Sequence, residues 1–139
     1  MTSNIDFAPT LYELAGCTPE DKQAFDGRSL VPLLTGKGSF KRPSLYLEIA
    51  STRAVVTEDF FKYVAVRFEP EIQQKVAKGA RYTHWALPIK EAHHTYNNEK
   101  NYPAYFDADQ LYDLRKDPGE QKNLAANPAY AERLKSMKA

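Results

Sequence analysis

Three short segments with strand-like composition lie close together in the middle of the sequence. Ser44–Ile49, Thr52–Thr57 and Phe60–Arg67 are rich in aromatic, aliphatic and β-branched residues, a composition that favours strands. Few residues separate one segment from the next, and Glu58-Asp59 provides a turn. Because parallel strands need a crossover of roughly a dozen residues or more, this spacing predicts an antiparallel meander.

A fourth strand is predicted at Gln110–Leu114, followed by a turn at Asp117-Pro118-Gly119-Glu120. Proline presets φ at the first central position of such a turn, and Gly119 is expected to supply a positive φ at the second. A last helix is predicted from Pro128 to Met137, capped by Asn127. Its apolar face would consist of Tyr130, Leu134 and Met137.

Shorter helices are predicted on either side of the meander. One begins at a capping Asp6 and ends at Gly16, and another runs from Leu30 to Thr35 with Ser29 as its cap. Gly36–Pro43 has the composition of a linker, and a further helix begins at Glu69-Pro70. The 139 residues suit a single core. The predicted fold class is therefore α+β: a small antiparallel sheet of about four strands with a C-terminal helix packed on one face, preceded by short helices.

Charge and hydropathy exclude several classes of partner. The 19 basic and 18 acidic residues nearly cancel, so the sequence predicts neither a nucleic-acid partner nor a membrane partner. No apolar run approaches the ~20 residues that span a bilayer. The N-terminal residues do not have the pattern of a signal peptide, and the sequence leaves the localisation unknown.

The sequence contains residue types that often act in catalysis or metal binding, but they lack the neighbouring residues that these roles require. Cys17 is followed by Glu20 and Asp21, whereas a reactive thiolate needs an electropositive setting. Adjacent His93 and His94 diverge on a helix or a strand, so they are poorly placed to share a metal. An EF-hand interpretation of Asp107 and Asp109 fails, because Tyr112 and Pro118 stand where glycine and glutamate are required. No catalytic residue and no metal ligand is predicted.

The stretch 68–104 interrupts the strand pattern and carries aromatic and basic residues. Long irregular stretches within a domain are commonly functional. Two interpretations of Arg81–Trp85 and Lys90 stay open: they bind a sugar face or an anionic group, or they form a packed insertion that covers the sheet.

Several motifs in order along the chain resemble the C-terminal part of a formylglycine-dependent sulfatase, an arylsulfatase-like member of the alkaline phosphatase-like superfamily. The most specific piece is Leu111–Leu114 followed by Asp117–Ala125. The other matching segments are Ser3–Leu11, Asp26–Gly36 and Arg53–Asp59 with Phe61–Tyr63.

The resemblance implies a parent enzyme that hydrolyses sulfate esters with calcium and a formylglycine made from Cys/Ser-x-Pro-x-Arg. In that family these groups belong to the large N-terminal domain, and the enzymes are usually periplasmic, secreted or lysosomal. Cys17-Thr18-Pro19 departs from the motif because Asp21 stands where arginine is required. The resemblance therefore implies a chain without cofactor or catalytic activity of its own, whose partner is the missing N-terminal sulfatase domain.

The resemblance also suggests a division of the chain. Residues 1–36 would end the parent's large domain, 37–43 would be a linker, and 44–139 would form the C-terminal subdomain with an insertion at 68–104. Residues 1–35, without that partner, are expected to mediate homo-oligomerisation. The alternative function is a stand-alone carbohydrate-binding or protein-interaction module. The candidate substrate-binding residues are Arg81, His84, Trp85, Lys90, His93 and His94.

Overall fold

A computed structural model of the chain describes residues 1–17, 25–88 and 101–138. It divides into two compact units, Met1–Leu45 and Tyr46–Ala139. Lys90, His93 and His94, which the sequence suggested as substrate contacts, lie outside the described residues.

A four-stranded antiparallel sheet forms the centre of the second unit. Its strands are β1 (Ser44–Ile49), β2 (Thr52–Thr57), β3 (Phe61–Val66) and β4 (Asp109–Asp113), in the order β1-β2-β3-β4. The bounds of β1 and β2 are those predicted from the sequence, and β3 is one residue shorter at each end. Helix α3 (Pro70–Ala77) follows β3. The α+β class with an antiparallel sheet is thus confirmed.

One face of the sheet packs against the C-terminal helix. A 3-10 helix at Pro128–Tyr130 leads into α4 (Ala131–Lys138), and the side chain of Asn127 accepts a hydrogen bond from the Ala129 N–H, as a cap should. The buried side chains on this face pack against the predicted apolar helix face. They are Val55, Tyr63, Leu111 and Leu124 against Tyr130, Leu134 and Met137.

Residues of the opposite parity form a second apolar cluster on the other face of the sheet, because successive strand side chains point to opposite sides. Val64, Val66 and Tyr112 are buried there, with Phe68 and Leu114 packed against them. In register, Lys62 lies opposite Tyr112 and Val64 opposite Gln110. This second face also holds the polar side chains of the candidate site.

The turn after β4 forms as predicted, but its left-handed residue was predicted wrongly. The Glu120 N–H donates to the Asp117 carbonyl at 3.2 Å, and Glu120, rather than Gly119, has a positive φ of 56°. The Asp117 carboxylate accepts from the backbone N–H groups of Gln121 and Lys122. These bonds place the reversal of the chain one residue later than glycine preference alone indicates.

The first unit contains a 3-10 helix (Asn4–Asp6), α1 (Phe7–Leu14) and α2 (Val31–Thr35). Gly16 and Gly36 adopt the positive φ values of 67° and 65° expected after a helix end. The predicted cap of α2 is wrong by one position: Leu30 is the capping residue, and the Ser29 hydroxyl accepts from the Val31 N–H.

Asp6 was expected to cap the first helix, but its carboxylate makes no capping bond to α1 and ties the unit together instead. The fully buried side chain accepts from the backbone N–H groups of Ser3 at 2.7 Å and Arg28 at 2.9 Å, and it pairs with the guanidinium of Arg42. Burial opposes ionisation, but these two N–H groups and the charge of Arg42 outweigh it and lower the pKa of Asp6.

The first unit also contains a close approach between two backbone segments, at Gly27 and Ile5, that requires glycine. A Cβ built on Gly27 would lie 1.9 Å from the carbonyl oxygen of Ile5. We expect Gly27→Ala to destabilise the first unit by several kcal/mol, because the backbone would have to move to make room for the added Cβ. Urea unfolding followed by circular dichroism measures the effect. Gly119→Ala, whose Cβ would meet nothing closer than 3.7 Å, is the matched control, and equal stability of the two variants would contradict the prediction.

Candidate binding cleft

A cleft of about 340 Å³ opens on the sheet face opposite α4. Thr52 and Ala54 of β2, Lys62 and Val64 of β3, and Gln110 and Tyr112 of β4 contribute to its lining. The two residues of each pair are two positions apart in their strand, so the pleat of the sheet places all of these side chains on one face. The cleft therefore combines an apolar floor with a few polar groups, which is the usual composition of a small-molecule site.

One wall of the cleft comes from the chain between α3 and β4. His84 stacks on the Tyr105 ring with a centroid distance of 4.1 Å and an interplanar angle of 19°. Its Nε2–H donates to the Tyr105 carbonyl at 2.9 Å, and its backbone N–H donates to the Tyr105 hydroxyl at 3.1 Å. Burial lowers the pKa of His84 despite the bond to that carbonyl. The neutral imidazole therefore has a structural role in positioning Tyr105.

Polar groups of β3, β4 and the following turn are largely paired with one another. The Tyr112 hydroxyl donates to Gln110 Oε1 at 2.9 Å, and burial raises the pKa of Tyr112 above its ordinary range. Lys62 Nζ donates to both carboxylate oxygens of Glu120 at 2.7 and 2.8 Å. This bidentate contact keeps the Glu120 carboxylate beside the cleft.

Thr52 is an exception to this pairing. Its side chain is 5% exposed and lines the cleft, and its Oγ1 has no hydrogen-bond partner within the described part of the chain. A buried hydroxyl without a partner costs about 1–3 kcal/mol.

Of the three predicted substrate-binding residues that the structure describes, one lines the cleft and two do not. His84 lines the cleft, whereas Arg81 and Trp85 are described but do not line it. The Arg81 guanidinium lies over the Phe106 ring, 4.7 Å from its centroid. Trp85 is half exposed on a tight loop, where the Thr83 N–H donates to the Leu87 carbonyl and the Ala86 N–H donates to the Thr83 carbonyl.

Several cleft residues were missed by sequence reasoning, notably Lys62, Tyr102, Gln110 and Tyr112. The available signal was alternation: Lys62 and Gln110 have the opposite parity to the apolar residues that face α4. Asp109, for which the sequence excluded only an EF-hand role, is an acceptor for several partners. Tyr63, Arg67 and Lys138 each donate to its carboxylate at 2.6 Å.

The Asp109 cluster makes stability depend on pH. Burial opposes ionisation of Asp109, but the bonds from Lys138, Tyr63 and Arg67 outweigh it and hold its pKa well below the usual range. Burial and the bond to Asp109 raise the pKa of Tyr63 to about 12. A carboxylate with a depressed folded-state pKa contributes stability above its unfolded pKa of about 3.9, and that stability is lost as pH falls further.

We therefore expect Asp109→Asn to be less stable than wild type at neutral pH, with the difference shrinking as pH falls below about 4. Thermal unfolding of both proteins between about pH 7 and about pH 2 measures this. Glu13→Gln, a change at an exposed carboxylate, should follow the wild-type curve. A difference between Asp109→Asn and wild type that is constant across the range would contradict the assignment.

The described residues do not form a site for the calcium that the sulfatase resemblance implies. Within 1–17, 25–88 and 101–138, no three His, Cys, Asp or Glu side chains come together as metal ligands. In the same ranges no helix has the length and apolar character needed to cross a bilayer.

The chain has a four-stranded antiparallel sheet with a C-terminal helix, and it carries the sulfatase-like motifs between Ser3 and Ala125 in order. Together these features define the C-terminal part of a sulfatase with the alkaline phosphatase-like fold. The chain belongs to the N-sulphoglucosamine sulphohydrolase C-terminal family, whose profile matches residues 1–139.

Individual relatives agree with this assignment. The chain is 30% identical to human steryl-sulfatase over 143 residues, and 32% identical to the ulvan-active sulfatase of Formosa agariphila over 136 residues. These alignments cover 98% and 90% of this chain, and 23% and 25% of the relatives. The chain therefore spans about a quarter of the length of the curated relatives it matches.

Solved structures show the same partial coverage. A 2-O GAG sulfatase superposes with a TM-score of 0.58 at 26% identity. A protein from Bacteroides thetaiotaomicron assigned as a sulfatase gives 0.59 at 25% identity. Each match covers 96% of this chain and 22% of the other chain.

Proposed function

We propose that this chain acts as the C-terminal subdomain of an enzyme that hydrolyses sulfate esters, where it supports the large domain and lines part of the substrate pocket. The observation that carries the proposal is the family match over all of residues 1–139, together with a share of only 22–25% of each of the sulfatases compared above. The cleft on the open sheet face supports the pocket-lining role.

Under this proposal the sulfate-ester chemistry is supplied by formylglycine and calcium in the large domain. The chain's own residues bind and position the substrate. His84, Tyr102 and Gln110 line the cleft and would contact the group esterified by sulfate. Arg81 and Trp85 would make contacts outside the cleft, and Lys90, His93 and His94 stay predictions, since they lie outside the described residues.

The coding sequence immediately upstream of Met1 tests the proposal. We expect an in-frame Cys/Ser-x-Pro-x-Arg motif within a sulfatase large domain. Assay of the isolated 139-residue chain with an aryl sulfate and calcium is expected to give no turnover above buffer. An upstream sequence without any sulfatase motif would contradict the proposed parent enzyme.

The first unit carries an apolar surface that fits a role in domain contact. Phe7, Leu11 and Leu14 are 62%, 65% and 60% exposed, and their spacing along α1 places them on one helical face. Exposed patches of this kind usually mark an interaction surface. We propose that the sulfatase large domain covers this face in the complete enzyme, and that a second copy covers it in the isolated chain.

The isolated chain is accordingly expected to dimerise through residues 1–35. Sedimentation velocity over a concentration series should show a dimer for wild type and a monomer for Leu11→Lys. Leu87→Lys, which places the same charge at a leucine that is 53% exposed in the second unit, should remain dimeric. A wild-type chain that stays monomeric at high concentration would contradict this proposal.

A further inference from the structure

His84 connects three separate segments of the second unit. Its imidazole stacks on the Tyr105 ring at a centroid distance of 4.1 Å, and its Nε2–H donates to the Tyr105 carbonyl at 2.9 Å. Its backbone N–H donates to the Tyr105 hydroxyl at 3.1 Å, and its carbonyl accepts from the Ser51 N–H at 3.3 Å. This one residue therefore joins the loop at 82–88 to the segment that precedes β4 and to the turn between β1 and β2.

The loop at 82–88 is closed by its own hydrogen bonds. Tyr82 and Pro88 form an isolated antiparallel bridge. The Thr83 N–H donates to the Leu87 carbonyl at 2.8 Å, and the Leu87 N–H donates to the Thr83 hydroxyl at 3.3 Å. Within the described part of the chain, the hydrogen bonds that tie this loop to other segments are those of His84. Loss of these bonds would free the loop while leaving its internal bonds intact.

The surroundings of His84 suit a neutral imidazole. Its aromatic neighbours are Tyr105 and Phe68, whose ring centroid lies 6.5 Å away. The bond to the Tyr105 carbonyl favours a proton on the ring, but burial outweighs it and lowers the pKa of His84. An imidazolium at this position would lack a carboxylate partner among these contacts, so its burial would be poorly compensated.

The charged groups around His84 are already engaged elsewhere. Those that line the same cleft or lie beside its contacts pair as Glu48 with Arg53, Lys62 with Glu120, and Arg67 with Asp109, while Arg81 lies over the Phe106 ring. Glu69, which follows Phe68, is exposed to solvent. The cleft tyrosines Tyr102, Tyr105 and Tyr112 stay neutral in the pH range where histidine titrates. His84 is therefore the group in this region that changes charge between about pH 5 and about pH 7.

We propose that His84 is an acid-sensitive latch: a proton on its imidazole weakens the contacts with Tyr105 and releases the loop at 82–88 from the cleft wall. A released His84 has the ordinary histidine pKa of about 6.5, whereas burial keeps its pKa lower in the closed latch. The released state therefore binds more protons as the pH falls. The latch keeps its full stability above about pH 7 and loses it progressively below about pH 6.5.

Nuclear magnetic resonance of the 139-residue chain tests the latch without any ligand. The imidazole signals of His84 should titrate with a pKa below about 6.5. Between about pH 7 and about pH 5, the protection of the Ser51 and His84 amides against hydrogen exchange should fall several-fold after correction for intrinsic rates. The protection of the Leu111 amide in the core should stay constant. A His84 pKa at or above the ordinary value would mean that Tyr105 stabilises the imidazolium, and would overturn the inference. Titration of His84 with unchanged amide protection would overturn it as well.

Variants assign the transition to His84. His84→Gln keeps a side-chain N–H donor but cannot titrate, so the protection of the Ser51 amide should no longer depend on pH between about 5 and about 7. Trp85 is the only tryptophan in the sequence and adjoins His84, so its fluorescence should change with pH in wild type and stay constant in His84→Gln. The double variant His93→Gln/His94→Gln is the matched control and should behave like wild type. A transition that persists in His84→Gln and disappears in the double variant would refute the latch.

The latch goes beyond the proposed function and is separable from it. None of these measurements involves sulfate-ester hydrolysis, so a missing latch leaves the proposed function untouched. A complete protein without sulfatase activity likewise leaves a latch that these measurements have demonstrated.

Discussion

Replacing Leu111 with alanine is expected to destabilise the second unit by about 2–5 kcal/mol. Leu111 is 0% exposed in the middle of β4 and belongs to the cluster formed by Val55, Tyr63 and Leu124. Its removal would leave a cavity between the sheet and α4, next to the other buried side chains of that cluster. Since domains of this size have only about 5–15 kcal/mol of stability, a large part of the total is at stake.

Chemical denaturation of wild type, Leu111→Ala and Leu87→Ala measures this effect. Leu87 is 53% exposed, so its truncation should change the free energy of unfolding by no more than about 0.5 kcal/mol. A similar small effect for Leu111→Ala would mean that β4 and α4 do not form the core described above.

Replacing Asp6 with asparagine is expected to destabilise the first unit by about 3–5 kcal/mol. The substitution leaves the Arg42 guanidinium, which is 8% exposed, without its carboxylate. It also forces an amide into a position where the Ser3 and Arg28 N–H groups both donate. The Nε of Arg42 already has no partner among the described residues, so the unpaired buried charge has little other compensation.

Hydrogen exchange of backbone amides measures the stability of each unit separately. In Asp6→Asn, the amides of Thr10 and Leu30 should exchange much faster, while the amide of Leu111 should keep its protection. Asp26→Asn, the same change at an exposed position of the first unit, serves as the control. Unchanged protection of the first unit in Asp6→Asn would show that the buried pair does not hold it together.

The fold followed from the sequence wherever local pattern and burial agree. Strand-favouring composition gave the bounds of β1 and β2, and helical spacing identified the face of α4 that carries Leu134 and Met137. The φ of Glu120 was missed, because the position of the reversal depends on bonds from Gln121 and Lys122 to Asp117. The role of Asp6 was missed, because its partner Arg42 lies 36 positions away in the sequence.

The cleft was harder to predict than the fold because it depends on strand register. Lys62 and Tyr112 are 50 positions apart in the sequence and become neighbours only through the β3–β4 pairing. Histidine and tryptophan in the stretch 68–104 attracted attention by residue type, and of the described candidates only His84 lines the cleft. The less conspicuous Thr52 and Gln110 line it as well.

The central claim, that this chain completes a sulfatase without catalysing the reaction itself, is tested most directly by reconstitution. The protein encoded by the in-frame upstream sequence would be assayed with an aryl sulfate and calcium alone, with this chain added, and covalently joined to it. The account predicts no turnover by this chain alone, and activity that requires both parts. Turnover by the isolated chain, or full activity of the upstream part without it, would contradict the account.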